Sequence, residues 1–326
     1  MSALVLVAGL VVPVSTAQSA LAVATGTYAY VANTHDDTVS VIDTSGNTVV
    51  DTIRVGDAPR WVAVTPDGAY AYVTNGADDS VSVIDTSKET VTATVPVGDS
   101  PRGIAMSPNG TYAYVANTDG DSVSVIDTSK KAVTATVPVG ASPVGVAVAP
   151  NGSFVYVPNT EGDSVSVIDT SGNTVVDTVR VGDSPRGVAV TPDSAFAYVP
   201  NNGGDTVSVI DTSGNTVVDT VRVGDAPRGV AVAPNGTYAY VANNGGDTVS
   251  VIDTSKKAVT ATVPVGASPV GMAVAPNGSS VYVANTEGDS VSVIDTSRDT
   301  VTTTVGVGGF PFGVAVSVAP QPGQER

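Results

Sequence analysis

Residues 72–75 read YVTN, and close variants of this tetrapeptide, YVAN and YVPN, recur every 42 residues along the chain. The seven copies begin at Tyr30, Tyr72, Tyr114, Tyr156, Tyr198, Tyr240 and Tyr282. A fixed period of this size is typical of propellers and solenoids, and it outweighs local propensity as a guide to the fold. The chain is therefore expected to be a repeat protein rather than a set of unrelated domains.

Each repeat contains four short runs rich in Val, Ala, Ser and Thr, which we call a, b, c and d. In one copy they read RGIAMS (102–107), YAYVAN (112–117), SVSVID (122–127) and AVTATVPV (132–139). Runs of this composition, separated by turns rich in Asn, Asp, Gly and Ser, predict β-strands. Four short strands per repeat match one blade of a β-propeller.

The composition of the runs also predicts their order within a blade. Run a is built from Gly, Val and Ala, which suit the crowded axis, whereas run d carries Pro96, Pro138 and Pro264, which suit an outer edge. The first complete run, 28–33, is of type b, and the last, 313–318, is of type a. The sequence thus predicts an all-β, seven-bladed propeller with four antiparallel strands per blade, closed by a C-terminal strand that joins the N-terminal blade.

The propeller is predicted to span residues 25–318, followed by a polar tail over 319–326. Residues 1–24 are predicted to be a signal peptide or apolar leader, because the apolar segment 4–14 precedes small residues that suit cleavage. That segment is too short to cross a bilayer as a helix. No Lys or Arg precedes Arg54, so an ordinary apolar strand is the alternative. We expect a secreted or cell-surface protein whose mature chain has no transmembrane span.

Charge and rare residues restrict the function. The net charge is −17, which disfavours nucleic acid as a partner, because phosphate backbones are bound by clustered Lys and Arg. The chain has no cysteine and one histidine, His35, so thiol chemistry and histidine metal clusters are excluded. No catalytic residue is predicted, and a monomer is expected.

Alternating strand direction places the d–a loops and the b–c loops on one face, which we call the top face. In four d–a loops an arginine follows an aspartate by three residues, and the other three loops lack both. The pairs are Asp57 and Arg60, Asp99 and Arg102, Asp183 and Arg186, and Asp225 and Arg228. Four arginines around an axis suit an anion. Their co-occurrence with aspartates instead favours local structural ion pairs or turn clamps, so the sequence predicts structure here.

The acidic b–c loops offer a second possible site. Three of them place side-chain oxygens at alternate residues, as calcium loops do. The residues are Asn117, Asp119, Asp121, Asn159, Glu161, Asp163, Asn285, Glu287 and Asp289. Asn/Asp-Gly turns that keep the face soluble explain the same pattern. Calcium is therefore the only cofactor considered, as an alternative to none.

The largest departures from the repeat are His35, Trp61, Phe310 and Phe312. Propeller topology predicts that all four lie in one sector of the top face, beside the closure. Two interpretations follow. The aromatic rings plug the junction of the two chain ends, or they form a patch that binds a sugar, a peptide or another hydrophobic partner.

The YVTN tetrad, followed by SVSVIDT (80–86) and VPVGDSPRGIAMSPNG (95–110), resembles the YVTN β-propeller repeat family over about residues 26–318. The resemblance implies an exported, surface-associated fold and no particular reaction, since propellers host unrelated functions. We expect a non-enzymatic interaction scaffold with a protein or cell-surface glycan partner. The alternatives are a metal-assisted propeller enzyme, lactonase-like or lyase-like, and a binder of a small ligand or glycan at the aromatic patch.

Overall fold

The structure, a computed structural model, describes residues 25–320 and contains seven antiparallel sheets of four strands each. The predicted leader, 1–24, and most of the predicted tail, 321–326, lie outside the described residues. Blade 1 consists of β1 (Thr25–Asn33), β2 (Thr38–Asp43), β3 (Thr48–Arg54) and, from the other end of the chain, β28 (Pro311–Pro320).

The other six blades follow in chain order. Blade 2 contains β4 (Pro59–Val64), β5 (Tyr70–Asn75), β6 (Ser80–Asp85) and β7 (Thr90–Pro96). Blade 3 contains β8 (Pro101–Met106), β9 (Tyr112–Asn117), β10 (Ser122–Asp127) and β11 (Ala132–Pro138). Blade 4 contains β12 (Ala147–Val148), β13 (Phe154–Asn159), β14 (Ser164–Asp169) and β15 (Thr174–Arg180).

Blade 5 contains β16 (Ala189–Val190), β17 (Phe196–Asn201), β18 (Thr206–Asp211) and β19 (Thr216–Arg222). Blade 6 contains β20 (Pro227–Val232), β21 (Tyr238–Asn243), β22 (Thr248–Asp253) and β23 (Ala258–Pro264). Blade 7 contains β24 (Pro269–Val274), β25 (Ser280–Asn285), the short 3-10 helix Thr286–Gly288, β26 (Ser290–Asp295) and β27 (Thr300–Gly306). Each blade thus runs a-b-c-d from the axis outward, as predicted.

The closure of the ring is confirmed. Strand β28 pairs antiparallel with β1, from Thr25 opposite Pro320 to Asn33 opposite Pro311. Each a strand contacts the a strands of the two neighbouring blades, so the seven form a complete ring around the axis. Strand β28 extends to Pro320.

The a strands of blades 4 and 5 are shorter than predicted, with two residues each. The neighbouring b strands carry Pro158 and Pro200, which have no N–H to donate to the ladder. The backbone N–H groups of Val144 and Arg186 donate to the carbonyl oxygens of these prolines, at 3.2 and 3.0 Å. The sheet therefore narrows beside the axis in these two blades.

The core lies between the blades. The seven repeat tyrosines are at most 2% exposed, and each packs with valines of its own blade against the isoleucine of the next blade's c strand. Burying a side chain of this size stabilises the fold by about 1.5–3 kcal/mol. The described part of the chain contains no helix with the length and apolar character needed to cross a membrane.

Candidate binding pocket on the axis

A ring of seven side chains surrounds the top of the axis. It is formed by the residue that follows the proline of each d–a loop, and we call these residues the collar. In blade order the collar is Phe312, Arg60, Arg102, Val144, Arg186, Arg228 and Val270. Together with Trp61 and Phe310, the collar lines a cavity of about 380 Å³. Ligand pockets in proteins have volumes of about 300–1,000 Å³, so the cavity accommodates one small molecule.

Glycine follows the collar residue in six blades, because the a strands approach one another closely there. A Cβ atom at Gly103 would lie 2.5 Å from the carbonyl oxygen of Val144 in the next blade. At Gly145 and Gly187 it would lie 2.6 Å from the carbonyl oxygens of Arg186 and Arg228. These glycines bring the backbones of neighbouring blades together and hold the collar side chains around a narrow opening.

The four collar arginines form no ion pair with the aspartates of their own loops, so the structure does not contain the ion-pair form of the predicted Asp–Arg contacts, and the turn clamps stay a prediction. The ion pairs among residues 25–320 are Lys88–Asp85, Lys130–Asp127, Lys256–Asp253 and Arg298–Asp295. In each of the four loops the residue two before the arginine has a positive φ, between 49° and 54°. The chain reverses there, so Asp57, Asp99, Asp183 and Asp225 are exposed while the arginines turn inward to line the cavity.

The electrostatics of the pocket follow from this arrangement. Burial, and after it the neighbouring collar arginines, lower the pKa of Arg60, Arg186 and Arg228. The Nε atoms of Arg186 and Arg228 are buried and have no hydrogen-bond partner among the described residues. A chain of net charge −17 therefore gathers four of its 14 basic residues around one uncompensated cationic cavity.

The aromatic residues form one wall of the same cavity. Trp61 and Phe312 meet edge to face, with ring centroids 5.9 Å apart, and the Arg60 guanidinium lies 5.3 Å from the centroid of the Phe312 ring. Phe310 lines the cavity and stacks on the exposed His35, with centroids 4.4 Å apart. The structure thus brings together the four predicted residues beside the closure as one stacked pair and one edge-to-face pair.

One contributor was missed by sequence reasoning. Thr74, the threonine of YVTN, replaces the alanine or proline of the other copies. Its hydroxyl accepts a hydrogen bond from the N–H of Trp61 at 3.0 Å and donates one to the carbonyl of Arg102 at 2.6 Å. Thr74 therefore links Trp61, which stands where the other six blades have glycine, to Arg102, the collar residue of the next blade. The sequence contains a clue to this contact, because Trp61 and Thr74 both depart from the repeat and occur in the same copy.

The acidic b–c loops join neighbouring loops. Asp121, Asp163 and Asp289 each accept a hydrogen bond from a d–a loop N–H at 2.8–2.9 Å. Asn117, Asn159 and Asn285 are fully buried, and their Nδ2 groups donate to two serines of the adjacent c strand.

The remaining carboxylates of the predicted calcium sets, Asp119, Glu161 and Glu287, are exposed. The side chains of each set thus point in different directions. Within residues 25–320, no three His, Asp or Glu side chains form a group that could hold a metal ion. Calcium binding stays a prediction.

A closed ring of seven four-stranded blades with a ligand-sized cavity over its axis defines a seven-bladed β-propeller with an axial pocket. The chain belongs to the YNCE-like β-propeller family, whose model matches residues 1–320. The YVTN-type repeat family, which the sequence resembles, is a related propeller family. A search of curated proteins finds no match to the chain.

Solved structures show the same architecture. A chain of Kuenenia stuttgartiensis hydrazine synthase is 28% identical, with a TM-score of 0.76 over 83% of this chain and 92% of that chain. A functionally unknown protein from Desulfotomaculum acetoxidans is 18% identical, with a TM-score of 0.79 over 90% and 99%. A provisionally named 6-phosphogluconolactonase from Bacteroides uniformis is 16% identical, with a TM-score of 0.77 over 90% and 99%. The last two likenesses concern the fold alone.

Proposed function

We propose that this chain is an exported, non-enzymatic propeller that binds a small anionic ligand in the axial pocket. One observation carries the proposal: four half-buried arginines line the cavity, and none of them forms an ion pair within the described part of the chain. Guanidinium groups bind carboxylates and phosphates through charge-assisted hydrogen bonds. An anion in the cavity supplies the partners that the protein itself does not.

The energetics support the same role. Gathering like charges in a half-buried cavity costs folding free energy, as the lowered pKa values of Arg60, Arg186 and Arg228 indicate. An anion that binds the folded state removes part of that cost and stabilises the fold by mass action. The ligand should therefore raise the melting temperature.

The composition of the lining favours binding over catalysis. Among residues 25–320, those that line the cavity include no Asp, Glu, His or Lys. General acid–base catalysis depends on a group whose pKa lies near the working pH, and arginine stays protonated. Export rests on the apolar leader pattern of residues 1–24. An extracytoplasmic pocket would meet soluble acids or the acidic ends of surface glycans.

The test is a thermal melt of the purified full chain with sodium salts of sulfate, succinate, benzoate, terephthalate and glucuronate, each against sodium chloride of equal ionic strength. The pocket variant is Arg186→Gln/Arg228→Gln. The matched control is Arg180→Gln/Arg222→Gln, which removes the same charge from exposed positions on the outer strands β15 and β19.

We expect at least one anion to raise the melting temperature of the wild type and of the control equally, and to leave that of the pocket variant unchanged. An equal rise in the pocket variant would place the anion elsewhere and overturn the proposal. So would the absence of any rise with all five anions.

A further inference from the structure

The collar arginines are arranged as two pairs. Arg60 and Arg102 come from neighbouring blades 2 and 3, and Arg186 and Arg228 from neighbouring blades 5 and 6. Val144 separates the pairs on one side, and Val270 and Phe312 separate them on the other. In a ring of seven blades the two pairs therefore face each other across the axis.

The charge of Arg102 reaches the opposite pair. Burial lowers the pKa of Arg186 and Arg228, and Arg102 on the other side of the axis lowers both further. A single negative charge bound at one pair leaves the other pair uncompensated. Two acidic groups, one at each pair, neutralise the cavity more completely.

The space between the pairs is bounded on one side by aromatic rings. Phe312 is 9% exposed and presents its face to Arg60, while Trp61 meets it edge to face. Aromatic rings attract other flat rings through offset or edge-to-face packing. A planar ring in the cavity can make contacts of this kind with Phe312 and Trp61.

We infer that the axial pocket binds a small aromatic dianion, with one acidic group at Arg60 and Arg102, the other at Arg186 and Arg228, and its ring against Phe312 and Trp61. A benzene ring with carboxylates at opposite ends is the simplest molecule of this class, and it is within the size range of the cavity of about 380 Å³. This inference rests on the proposed function and adds the ligand's charge and shape.

Three probes separate these features by titration calorimetry on the full chain. Terephthalate has both carboxylates and the flat ring. Benzoate has the ring and one carboxylate, and trans-cyclohexane-1,4-dicarboxylate has both carboxylates and a puckered ring. We expect terephthalate to bind about tenfold or more tightly than either of the others.

The variants are chosen so that each new residue already occurs at the equivalent position of another blade. Arg102→Val and Arg228→Val copy the collar of blades 4 and 7, Phe312→Val does the same in blade 1, and Trp61→Gly restores the glycine of the other blades. We expect each arginine variant to reduce terephthalate affinity to that of benzoate. Trp61→Gly and Phe312→Val should reduce terephthalate affinity to that of the cyclohexane acid and leave the latter unchanged.

Equal affinity for the three probes would overturn the inference, as would terephthalate binding that survives both arginine variants. If sulfate or glucuronate stabilises the protein and terephthalate does not, the inference fails while the proposed anion site stands. If no anion stabilises the wild type, both fail. If Phe312→Val is unfolded at the temperature of the titration, Trp61→Gly alone tests whether the aromatic wall favours the flat ring of terephthalate over the puckered ring.

Discussion

The b strands and the collar both occur seven times, but the b strands keep the same key residues in every copy and the collar does not. The b strands carry the same tyrosine and the same final asparagine in every blade, and these side chains are buried in contacts with the framework. The collar carries arginine, valine or phenylalanine, and its side chains face a cavity. Where packing alone selects the residue, the copies agree. Where the copies differ at the axis, the side chains line the cavity, and the four arginines among them form no ion pair within residues 25–320.

Removing a framework side chain should have the largest effect. Tyr198→Ala deletes a fully buried ring between two blades and should lower the free energy of unfolding by about 3–5 kcal/mol, measured by denaturant titration. Tyr198→Phe is the control, because the hydroxyl is buried without a hydrogen-bond partner among the described residues. This variant should leave the free energy of unfolding unchanged or raise it, because a buried hydroxyl without a hydrogen-bond partner is itself destabilising. Equal losses in both variants would mean that the hydroxyl, not the ring, matters.

The close approach of the a strands predicts a second, smaller effect. Gly187→Ala places a methyl group 2.6 Å from the carbonyl oxygen of Arg228 and should cost about 1–3 kcal/mol, visible as a lower melting temperature. Gly306→Ala on the outer strand of blade 7 meets no atom within 4 Å and should be neutral or slightly stabilising. A neutral Gly187→Ala would show that the collar backbone has room to move.

The last residue of the c–d turn also varies among blades. The c–d turns lie on the face opposite the top face, away from the collar. In blade 1 it is Asn47, whose Oδ1 accepts a hydrogen bond from Tyr282 of blade 7 at 2.8 Å. In blade 2 it is Glu89, where burial and the neighbouring carboxyl of Asp51 raise the pKa to about 8. Variation outside the collar is therefore tied to the blade junctions rather than to the pocket.

Glu89 should make stability depend on pH. Because its pKa in the folded state lies above the ordinary 4.5, the folded protein holds this proton more tightly than the unfolded chain does. Its contribution is fully present below about pH 4.5 and is lost as the pH rises through about 8. Denaturant midpoints at pH 5, 7 and 9 should fall more steeply in the wild type than in Glu89→Gln. Parallel profiles would contradict the raised pKa.

The smallest expected effect is on the ligand-free collar. Arg186→Gln removes one of four mutually repelling charges, so the melting temperature without ligand should stay the same or rise slightly. Arg180→Gln on the outer strand serves as the control. A clear fall in Arg186→Gln alone would show that Arg186 stabilises the fold through a contact of its own, as the predicted ion pair with Asp183 would have required.

Much of the fold was accessible from the sequence. The spacing of the tyrosines gave the blade count, and the prolines of run d placed that strand at the edge. The position of the final a run predicted the closure. These features depend on periodicity and on the chemistry of proline, both of which are local. The shortened a strands of blades 4 and 5 were missed because Pro158 and Pro200 act on the neighbouring strand rather than on their own.

The pocket was only half predicted. The departures at His35, Trp61, Phe310 and Phe312 were located correctly in one sector of the top face. The arginines were assigned to ion pairs or turn clamps because they occur only in the loops that also carry the aspartate. The positive φ at Ala58, Ser100, Ser184 and Ala226 sends the two side chains in opposite directions, and nothing in those residue types announces it. Sequence separation of three residues says little about distance when the chain reverses between them.

The closing strand β28 determines when the pocket can form during synthesis. Phe310 directly precedes β28 and Phe312 lies in it, and β28 is the innermost strand of the first blade although it is made after the strands of the other six blades. A growing chain that stops short of residue 310 has all four collar arginines and Trp61 but lacks Phe310 and Phe312, and its first blade lacks its axial strand. The pocket can thus form only once both ends of the propeller are present. Ligand binding would then distinguish chains that contain the closing strand from chains that stop before it.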